Sequence, residues 1–560
     1  MARSCVRFRF PRSLPLFVLL SLVVVSATFA DTYPRQPGVD VVHYVFNLKI
    51  SDDSAQIEGD TAVRFRAVTG GLSRIVLDLG SSDGERGMTI AAVKEGDKSL
   101  EFSHESDRVA IQLPTPTAIG EERTVSVQYR GAPRSGLRLT QNLHGEWCAF
   151  SENWPNRARQ WLATVDHPSD KATGEFVVTA PARYQVVANG LLMDETDLPG
   201  DLRRTHWKQS VPICTWLYAV GVARFSVGHF GTANGGAGKD IPLEGWVYPQ
   251  NREIGHANFN EPGKSALEFF TQRVGPYSYD RLAHVQAAGI SGATEHATAI
   301  FYGERGVLRD NRGTVVHEVA HQWFGNAVTE RDWDDVWLAE GFATYFTNLY
   351  YEHHSGREDF VNRMRRDRTR VLGAEARRPD TPVIHRNIND MSQVLNTFVY
   401  QKGGWFLHIL RGQVGDDAFW RGIRAYYARY RDKNASTADF LAEMELASKQ
   451  ELDWLFEQWL TRGSSPKLAG DWSFDASANH IKLKLRQTQE GPPYRLPMEI
   501  GVTSGPQGAE AKTSIQKIEI TEREGEFTLK SETAPTTVTL DPNVWVLMAE
   551  PEFVKQAAPN

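Results

Sequence analysis

Hydrophobic and polar residues alternate along the first part of the chain, from about residue 40 to 225. Runs such as YVFNLKI at 44–50 and TVSVQY at 124–129 repeat at every second position, and glycine, proline, aspartate and serine separate them. This period of two is typical of half-buried antiparallel strands. The pattern predicts an N-terminal antiparallel β domain over residues 31–235.

The spacing of apolar residues changes beyond a glycine-rich stretch at 231–238, which is typical of a flexible loop near a domain boundary. From there to about residue 465, apolar residues recur three or four positions apart, which is the period of an amphipathic helix. These residues form a mainly α domain over 236–465. We predict its helices at 264–273, 315–326, 338–354, 398–414 and 418–429.

Strict alternation returns after Pro466, for example in IKLKL at 481–485 and TVTL at 537–540. This pattern over residues 466–560 predicts a small C-terminal β-sandwich domain. The predicted fold class is therefore multidomain α+β, with an antiparallel β domain, a mainly α domain and a β-sandwich in that order.

The first thirty residues have the pattern of a secretory signal peptide. Four arginines precede an apolar run from Leu14 to Val25, and small residues then lead to Ala30. A helix of that run is too short to span the roughly 30 Å hydrocarbon layer of a membrane. We predict cleavage after Ala30 and a secreted or periplasmic protein with no stable membrane span. An uncleaved anchor that extends to Ala30 is the alternative.

Composition narrows the function classes. With 41% hydrophobic and 23% charged residues the chain is globular, and its net charge of −7 argues against a protein that coats nucleic-acid phosphates. We therefore expect no nucleic-acid partner. An arginine-rich run at 363–378 is interpreted as a solvated helix face, with an anion site as the alternative.

The chain has three cysteines, which are too few for a cysteine-based zinc site. Cys5 lies within the predicted signal peptide. Cys148 and Cys214 remain in a compartment that permits disulfides, and the sequence leaves open whether they pair or stay as free thiols.

The most informative motif is HEVAH at 317–321, inside an apolar helical stretch. On a helix, His317 and His321 project from the same face one turn apart, so both imidazoles can reach one metal ion. Glu318 lies close enough to act on a water molecule bound to that ion.

A third ligand is expected in WLAEGFA at 337–343, where Glu340 lies among residues typical of a core. A second helix can present this carboxylate to the same ion. Two imidazoles and one carboxylate leave a fourth tetrahedral position open for water, as in catalytic rather than structural zinc sites. We predict one Zn²⁺ per chain, held by His317, His321 and Glu340.

With these motifs the chain resembles the M1 zinc aminopeptidases, the aminopeptidase N-like members of the gluzincin metallopeptidases. The matching segments are HEVAHQWFGN at 317–326, WLAEGFATY at 337–345, GATEH at 292–296, YQKG at 400–403, HY at 43–44, and Trp161 through DHP at 166–168 with KA at 171–172. The resemblance implies that the mainly α domain is a thermolysin-like zinc peptidase domain.

The resemblance also implies a reaction, the hydrolysis of the first peptide bond of short peptides with a free N-terminus. Zinc would polarise the scissile carbonyl and activate water. Glu318 would be the general base, and Tyr400 would stabilise the developing oxyanion.

Recognition of the substrate is expected from the same motifs. Glu295 matches the family's glutamate that binds the α-ammonium group, and Gly292 and Ala293 are expected to offer backbone groups to an extended peptide. Glu152 is the expected second amine-binding acid. Thr294 stands where methionine is usual, so the preferred first residue is not determined.

Two other functions remain as alternatives. One is a non-catalytic peptide-binding protein with the same fold, and the other is a bifunctional aminopeptidase and epoxide hydrolase. Oligomeric state and physiological substrate stay open.

Overall fold

The computed structural model of the protein describes residues 35–388, 390–505 and 511–556. The signal peptide predicted for residues 1–30 lies outside these ranges. Among the helices of the described ranges, none combines the length and the apolar character that a membrane crossing requires.

The N-terminal part is built on an eight-stranded sheet with the strand order β13-β14-β11-β1-β2-β8-β4-β5. Its strands alternate as predicted, since Val63 and Phe65 are buried while Arg64 and Arg66 between and beside them are exposed. Smaller sheets, β12-β15-β10-β9 and β3-β7-β6, complete this part. The strands are β1 (Val39–Lys49), β2 (Ile57–Ala67), β3 (Arg74–Asp78), β4 (Gly87–Glu95), β5 (Lys98–Ser99), β6 (Phe102–Glu105), β7 (Arg108–Gln112), β8 (Glu122–Ala132), β9 (Leu137–Gln141), β10 (Trp147–Ser151), β11 (Ala172–Pro181), β12 (Gln185–Ala188), β13 (Leu191–Leu198), β14 (Leu202–Ile213) and β15 (Val220–Ala223).

The middle part combines eight helices with a five-stranded sheet of the order β16-β17-β18-β20-β19. Helix α1 packs on β16, β17 and α2, and α2 packs on α3. The strands are β16 (Ser226–Asn234), β17 (Asp240–Val247), β18 (Leu282–Ala287), β19 (Ala293–Thr294), β20 (Ala299–Gly303), β21 (Val328–Glu330) and β22 (Lys433–Ala435). The helices are α1 (Arg252–Arg273), α2 (Arg312–His321), α3 (Trp337–Ser355), α4 (Arg357–Arg377), α5 (Gly403–Val414), α6 (Asp416–Tyr430), α7 (Thr437–Ser448) and α8 (Asp453–Leu460).

The glycine-rich stretch at 231–238 was interpreted as a flexible loop near a domain boundary, but part of it is a strand. Its first half belongs to β16, which pairs antiparallel with β17 in a hairpin. The predicted boundary between 235 and 236 therefore falls in the turn of this hairpin, and the sheet takes its first strand from the predicted N-terminal domain. Glycine removes the side-chain pattern by which a strand is recognised, which explains the difference.

Three of the predicted helices also have different ends, and one of them is α1, which begins at Arg252 instead of Lys264. Helix α2 stops at His321 instead of continuing to 326, because the chain turns at Gly325, where φ is 110°. Residues Phe398–Lys402 form a π-helical turn that leads directly into α5. Both irregularities lie next to residues of the predicted site.

The C-terminal part consists of two sheets, with the orders β27-β24-β23-β29 and β26-β25-β28. In β24, Ile481, Leu483 and Leu485 are buried and the lysines between them are exposed. The predicted fold class, an N-terminal β domain, a helical domain and C-terminal β sheets, is confirmed. The strands are β23 (Leu468–Asp475), β24 (His480–Gln487), β25 (Leu496–Ser504), β26 (Lys512–Ile520), β27 (Glu524–Lys530), β28 (Thr537–Leu540) and β29 (Glu552–Lys555).

The N-terminal part is fixed to the helical part through a buried cation. The Lys171 ammonium donates to the carbonyl oxygens of Asn326 and Ala327 at 2.8 and 2.9 Å. Burial lowers the pKa of Lys171 to about 8. Asn189 makes a second connection, because its amide donates to the carbonyl of Ala297 at 2.6 Å. Both connections reach segments that follow the GATEH and HEVAH motifs.

Cys148 and Cys214 are both buried free thiols in this structure. Burial raises the pKa of Cys148 to about 12 and that of Cys214 well above its ordinary value. Such thiols stay protonated and behave as small apolar core residues.

Candidate active site and metal centre

The histidines of the HEVAH motif lie on one face of α2, as the spacing requires. Their Nε2 atoms are 3.2 Å apart. Glu340, in the first turn of α3, places Oε2 at 3.6 Å from His317 Nε2 and 3.3 Å from His321 Nε2. Ligands of a tetrahedral zinc ion, bound at about 2.0–2.1 Å, are about 3.3 Å apart. The three atoms therefore have the separations that a shared zinc ion needs.

The surroundings of these ligands also fit a metal. Nδ1 of His321 donates to the carbonyl of Phe324 at 3.1 Å, which leaves the lone pair of Nε2 for a ligand. Glu340 Oε2 is buried and has no hydrogen-bond partner among the described residues. An orphaned buried carboxylate oxygen is costly unless an ion or another group satisfies it.

The number of buried acids at this site also favours a bound metal ion. Glu295, Glu318 and Glu340 are 2 to 6% exposed and surround two imidazoles. Burial raises the pKa of Glu318 well above its ordinary value, with Glu295 and Glu340 adding to the rise and His321 opposing it. Because like charges crowd together at low dielectric, a divalent cation would supply the missing positive charge.

Tyr400 reaches the site from the π-helical turn. Its hydroxyl donates to Glu340 Oε1 at 2.9 Å. Its ring stacks on that of His317, with centroids 6.2 Å apart and planes inclined by 15°. The phenol therefore lies beside the ligand set, with its donor aimed at a ligand oxygen.

One cavity of about 420 Å³ joins most of the predicted site residues. Those that line it are Glu152, Ala293, Glu295, His317, Glu318, His321, Glu340 and Tyr400. Thr294 lines it as well, where methionine was expected from the resemblance. Gly292 lines an adjoining cavity of about 620 Å³, which shares Ala293, His317, Glu318 and Tyr400 with the first.

Glu295 is held by hydrogen bonds to its backbone and by Trp154 at its side chain, while one carboxylate oxygen has no partner. Gln322 and Asn326, just beyond the end of α2, donate side-chain amide hydrogens to the Glu295 carbonyl at 3.1 and 2.7 Å. Oε1 of Glu295 is buried and has no hydrogen-bond partner. Burial raises the pKa of Glu295 to about 7 against the effect of His321. The backbone of Glu295 is therefore fixed in place, and one oxygen of its carboxylate still lacks a donor.

Glu152 lies in the same cavity but in a different environment. Its carboxylate accepts a hydrogen bond from Arg157 and faces the positive field of Arg138. Burial raises its pKa, and the two arginines oppose that rise. Glu152 is thus part of an ion pair on the cavity wall, unlike the unpaired Glu295.

Gly292 and Ala293 lie at the free edge of the five-stranded sheet. Strand β19 pairs with β20 on one side only, with Ala293 opposite Tyr302. Gly292 has a φ of 79°, and its carbonyl accepts from the Gly303 amide at 2.8 Å. The outer edge of β19 remains open toward the cavities, as a docking site for an extended chain requires.

Several buried polar residues around the site were not predicted. Gln322 and Asn326 position Glu295, and polar residues within the apolar stretch QWFGN were a usable signal for such a role. Glu330 is 1% exposed, and neither of its carboxylate oxygens has a partner. Lys171 belongs to the KA segment that matches the family, but its contacts lie 155 and 156 residues away along the chain and were not predicted.

The ligand set has the arrangement of the HEXXH class of zinc metallopeptidases. Two family models match the chain, the peptidase M1 N-terminal domain at residues 41–217 and the peptidase family M1 domain at residues 260–459. The chain belongs to peptidase family M1. Zinc is the cofactor that this family and the donor set imply.

Three individual proteins share between 17 and 26% sequence identity with this chain. Glutamyl aminopeptidase of Homo sapiens is 26% identical over 373 residues, which cover 64% of this chain and 38% of that protein. The chain thus spans well under half the length of this relative. The M1 zinc metallopeptidase from Deinococcus radiodurans is a similar solved structure, with a TM-score of 0.66 and 24% identity over 78% of this chain and 97% of that one. Legionella pneumophila aminopeptidase A in complex with aspartic acid gives a TM-score of 0.79 at 17% identity, covering 95% of this chain and 61% of that one. These two likenesses show a shared fold.

Proposed function

We propose that the protein is an exported zinc aminopeptidase that hydrolyses the N-terminal peptide bond of short peptides. The observation that carries this proposal is the position of Glu295. A buried carboxylate with an unpartnered oxygen lies in the same cavity as the metal ligands and the base Glu318. A substrate ammonium group would complete the hydrogen bonding of Glu295, and a blocked terminus would leave the carboxylate unsatisfied.

The metal ligands and the general base have separate roles in the proposed reaction. Zinc held by His317, His321 and Glu340 would polarise the scissile carbonyl and lower the pKa of water. Glu318 accepts a proton from the attacking water and returns it to the leaving amine. These steps need a carboxylate that lies beside the metal ligands without being one of them, and Glu318 occupies that position on α2.

Tyr400 and the edge of β19 would act on the substrate itself. The Tyr400 hydroxyl is free to turn from Glu340 toward a developing oxyanion, where it donates a hydrogen bond. The backbone of Ala293, on the unpaired side of β19, would pair with the extended peptide and hold its first bond near the metal ligands. Glu152 would add negative charge near the ammonium group, moderated by its pairing with Arg157.

The test uses purified protein and a panel of aminoacyl arylamides. We expect turnover that a chelator abolishes and zinc restores, and no turnover of N-acetylated analogues. The panel includes glutamyl and aspartyl substrates, because Arg138 lines the cavity and one relative is named glutamyl aminopeptidase. Equal rates on free and acetylated peptides would overturn the assignment as an exopeptidase.

The same preparation separates the alternatives. Stoichiometric peptide binding without turnover in zinc-loaded protein would favour a non-catalytic binding protein. Hydrolysis of an epoxide in addition to arylamides would favour the bifunctional enzyme.

Export is proposed on the sequence of residues 1–30 alone. N-terminal sequencing of the protein recovered from the periplasm or medium should begin at Asp31. Recovery of the uncleaved chain in a membrane fraction would favour the anchor instead.

A further inference from the structure

The cavity of about 620 Å³ extends away from the metal ligands toward helix α4. His317, Glu318 and Tyr400 form its wall on the side of the metal site. Arg363, Arg366 and Arg370 line it from α4, together with Asp367. Positions separated by three and four residues share one face of a helix, so the three guanidinium groups project along a single wall.

The three arginines differ in how far they are already paired. Arg363 donates to Asp359 at 2.7 Å and lies over the ring of Tyr351, with 3.2 Å from the guanidinium carbon to the ring centroid. Arg370 lies 3.4 Å from Asp367. Arg366 is exposed, and it makes no hydrogen bond or ion pair with any other residue of the described ranges.

Asp367 does not cancel this positive charge. Its carboxylate is buried, and Oδ2 accepts a hydrogen bond from the amide of Asn348 at 2.9 Å. Oδ1 faces Arg370. Because Asp359 pairs with Arg363 and Asp367 lies beside Arg370, the excess positive charge of this wall resides on Arg366, the guanidinium with unused donors.

The two cavities differ in the polar group that is left unpaired in each. The first cavity holds the unpartnered carboxylate oxygen of Glu295, since its other acid, Glu152, is paired with Arg157. The cavity on α4 holds the unpaired guanidinium of Arg366. Both share His317, Glu318 and Tyr400. A peptide with its ammonium group at Glu295 and its scissile bond at the metal ligands would have the cavity on α4 as a path for its remaining residues.

We propose that Arg366 and Arg370 form a subsite for a carboxylate on the substrate, located beyond the scissile bond. The subsite rests on the proposed aminopeptidase function and specifies its substrates. Guanidinium groups bind carboxylates with parallel, charge-assisted hydrogen bonds, and Arg366 has all of its donors available. The carboxylate comes either from the C-terminus of a di- or tripeptide or from an aspartate or glutamate side chain. The first source makes the protein selective for very short peptides.

The experiment compares kcat/KM for four substrates: leucyl p-nitroanilide, leucyl-alanyl-alanine, its C-terminal amide, and the amide of leucyl-glutamyl-alanine. The variants are R366Q and the double variant R366Q/R370Q. R365Q is the matched control, since Arg365 is exposed on the same helix and does not line the cavity. The variant R366K keeps the positive charge but lacks the planar guanidinium group that can make two parallel hydrogen bonds.

We expect the double variant to lose about tenfold or more in kcat/KM on substrates that bear the recognised carboxylate. A loss confined to the free tripeptide identifies the C-terminal carboxylate, and a loss confined to the glutamyl amide identifies a side chain. Leucyl p-nitroanilide has no carboxylate and serves as the reference for folding and chemistry. R365Q should match the wild type on every substrate.

Two results would overturn the subsite. One is an equal effect of the double variant on all four substrates, and the other is an equal effect of R365Q and R366Q. Salt provides a second measurement, because the preference of the wild type for the carboxylate-bearing substrate should shrink as ionic strength rises. If the wild type fails to cleave leucyl p-nitroanilide, the proposed function itself fails, and this outcome is distinct from loss of the subsite.

Discussion

Tyr400 donates a hydrogen bond of 2.9 Å to one oxygen of Glu340, while the other oxygen of this carboxylate lies 3.3 Å from Nε2 of His321. The residue proposed to stabilise the oxyanion is therefore bonded directly to a residue proposed to hold the metal. Because both groups share the cavity wall, the phenol can transfer its hydrogen bond from the ligand to the substrate without a large movement.

Replacing Tyr400 by phenylalanine should lower kcat by about 100-fold or more, because one donor to the transition state is lost. KM should change little, since the ring remains in place against His317. Steady-state kinetics on leucyl p-nitroanilide measure both constants. Metal analysis of Y400F provides the control, and a loss of bound zinc would show that the phenol acts chiefly on Glu340.

Replacing Glu318 by glutamine should reduce kcat by about 100-fold to 10,000-fold, because the amide cannot accept the proton of water. Zinc content and thermal unfolding temperature should stay close to those of the wild type. E330Q is the matched control, since Glu330 is a buried glutamate outside both cavities. Equal losses in E318Q and E330Q would mean that buried charge, and not proton transfer, controls the rate.

Replacing Glu295 by glutamine should raise KM and reduce the preference for free over N-acetylated peptides. The neutral amide loses the charge-assisted bond to the ammonium group, which typically contributes about 1.5–3 kcal/mol. The ratio of kcat/KM for the two substrate forms measures this discrimination. An unchanged ratio would assign the ammonium site to another residue, with Glu152 as the next candidate.

Removal of zinc should abolish turnover and lower the unfolding temperature. A ligand that binds only the folded state stabilises it by mass action, at about 4 kcal/mol for a thousandfold excess over Kd. Calorimetry with and without added zinc measures the shift. H321A should show no such zinc-dependent shift, and a wild-type shift equal to that of H321A would contradict the assigned ligands.

Asp170 should make stability depend on pH. Its carboxylate is buried, accepts the Val41 amide at 3.1 Å and leaves Oδ1 without a partner. Burial raises the pKa of Asp170 to about 8 from an unfolded value of 3.8. The folded state binds this proton more tightly than the unfolded state does. The contribution of Asp170 to the free energy of unfolding is therefore complete below about pH 4 and is lost as pH rises through 8.

The variant D170N should therefore gain unfolding temperature relative to the wild type as pH increases from 5 to 9. Asparagine keeps an acceptor for Val41 and carries no charge. Thermal unfolding in excess zinc at several pH values gives the profile, with the exposed Asp97→Asn as the control. A constant difference between D170N and wild type across this range would contradict the prediction.

Local spacing explains why the metal ligands could be predicted. The positions of His317 and His321 relative to each other depend only on helix geometry, and Glu340 is marked by a second motif. The strand alternation also survived into the structure, because the N-terminal sheet buries one face. The role of Tyr400 came from resemblance to a family, since a lone tyrosine on a helix carries no chemical signal.

Long-range contacts explain what could not be predicted. Lys171 meets the carbonyls of Asn326 and Ala327 only after two domains have assembled. Arg366 belonged to a run interpreted as a solvated face, and its place in a cavity depends on how α4 packs on α3. Strand β16 was hidden by glycines, which contribute backbone pairing but no side-chain pattern.

The π-helical turn at Phe398–Lys402 has one more consequence. Its wide turn holds one residue more than an α-helical turn would, immediately before α5. Deleting one residue between Tyr400 and Gly403 would let α5 extend backward as a regular helix and rotate the tyrosine by about 100°. A fully regular helix and the contact between Tyr400 and Glu340 therefore require different chain lengths here. A regular helix would gain stability, while the proposed role of Tyr400 depends on the irregular turn.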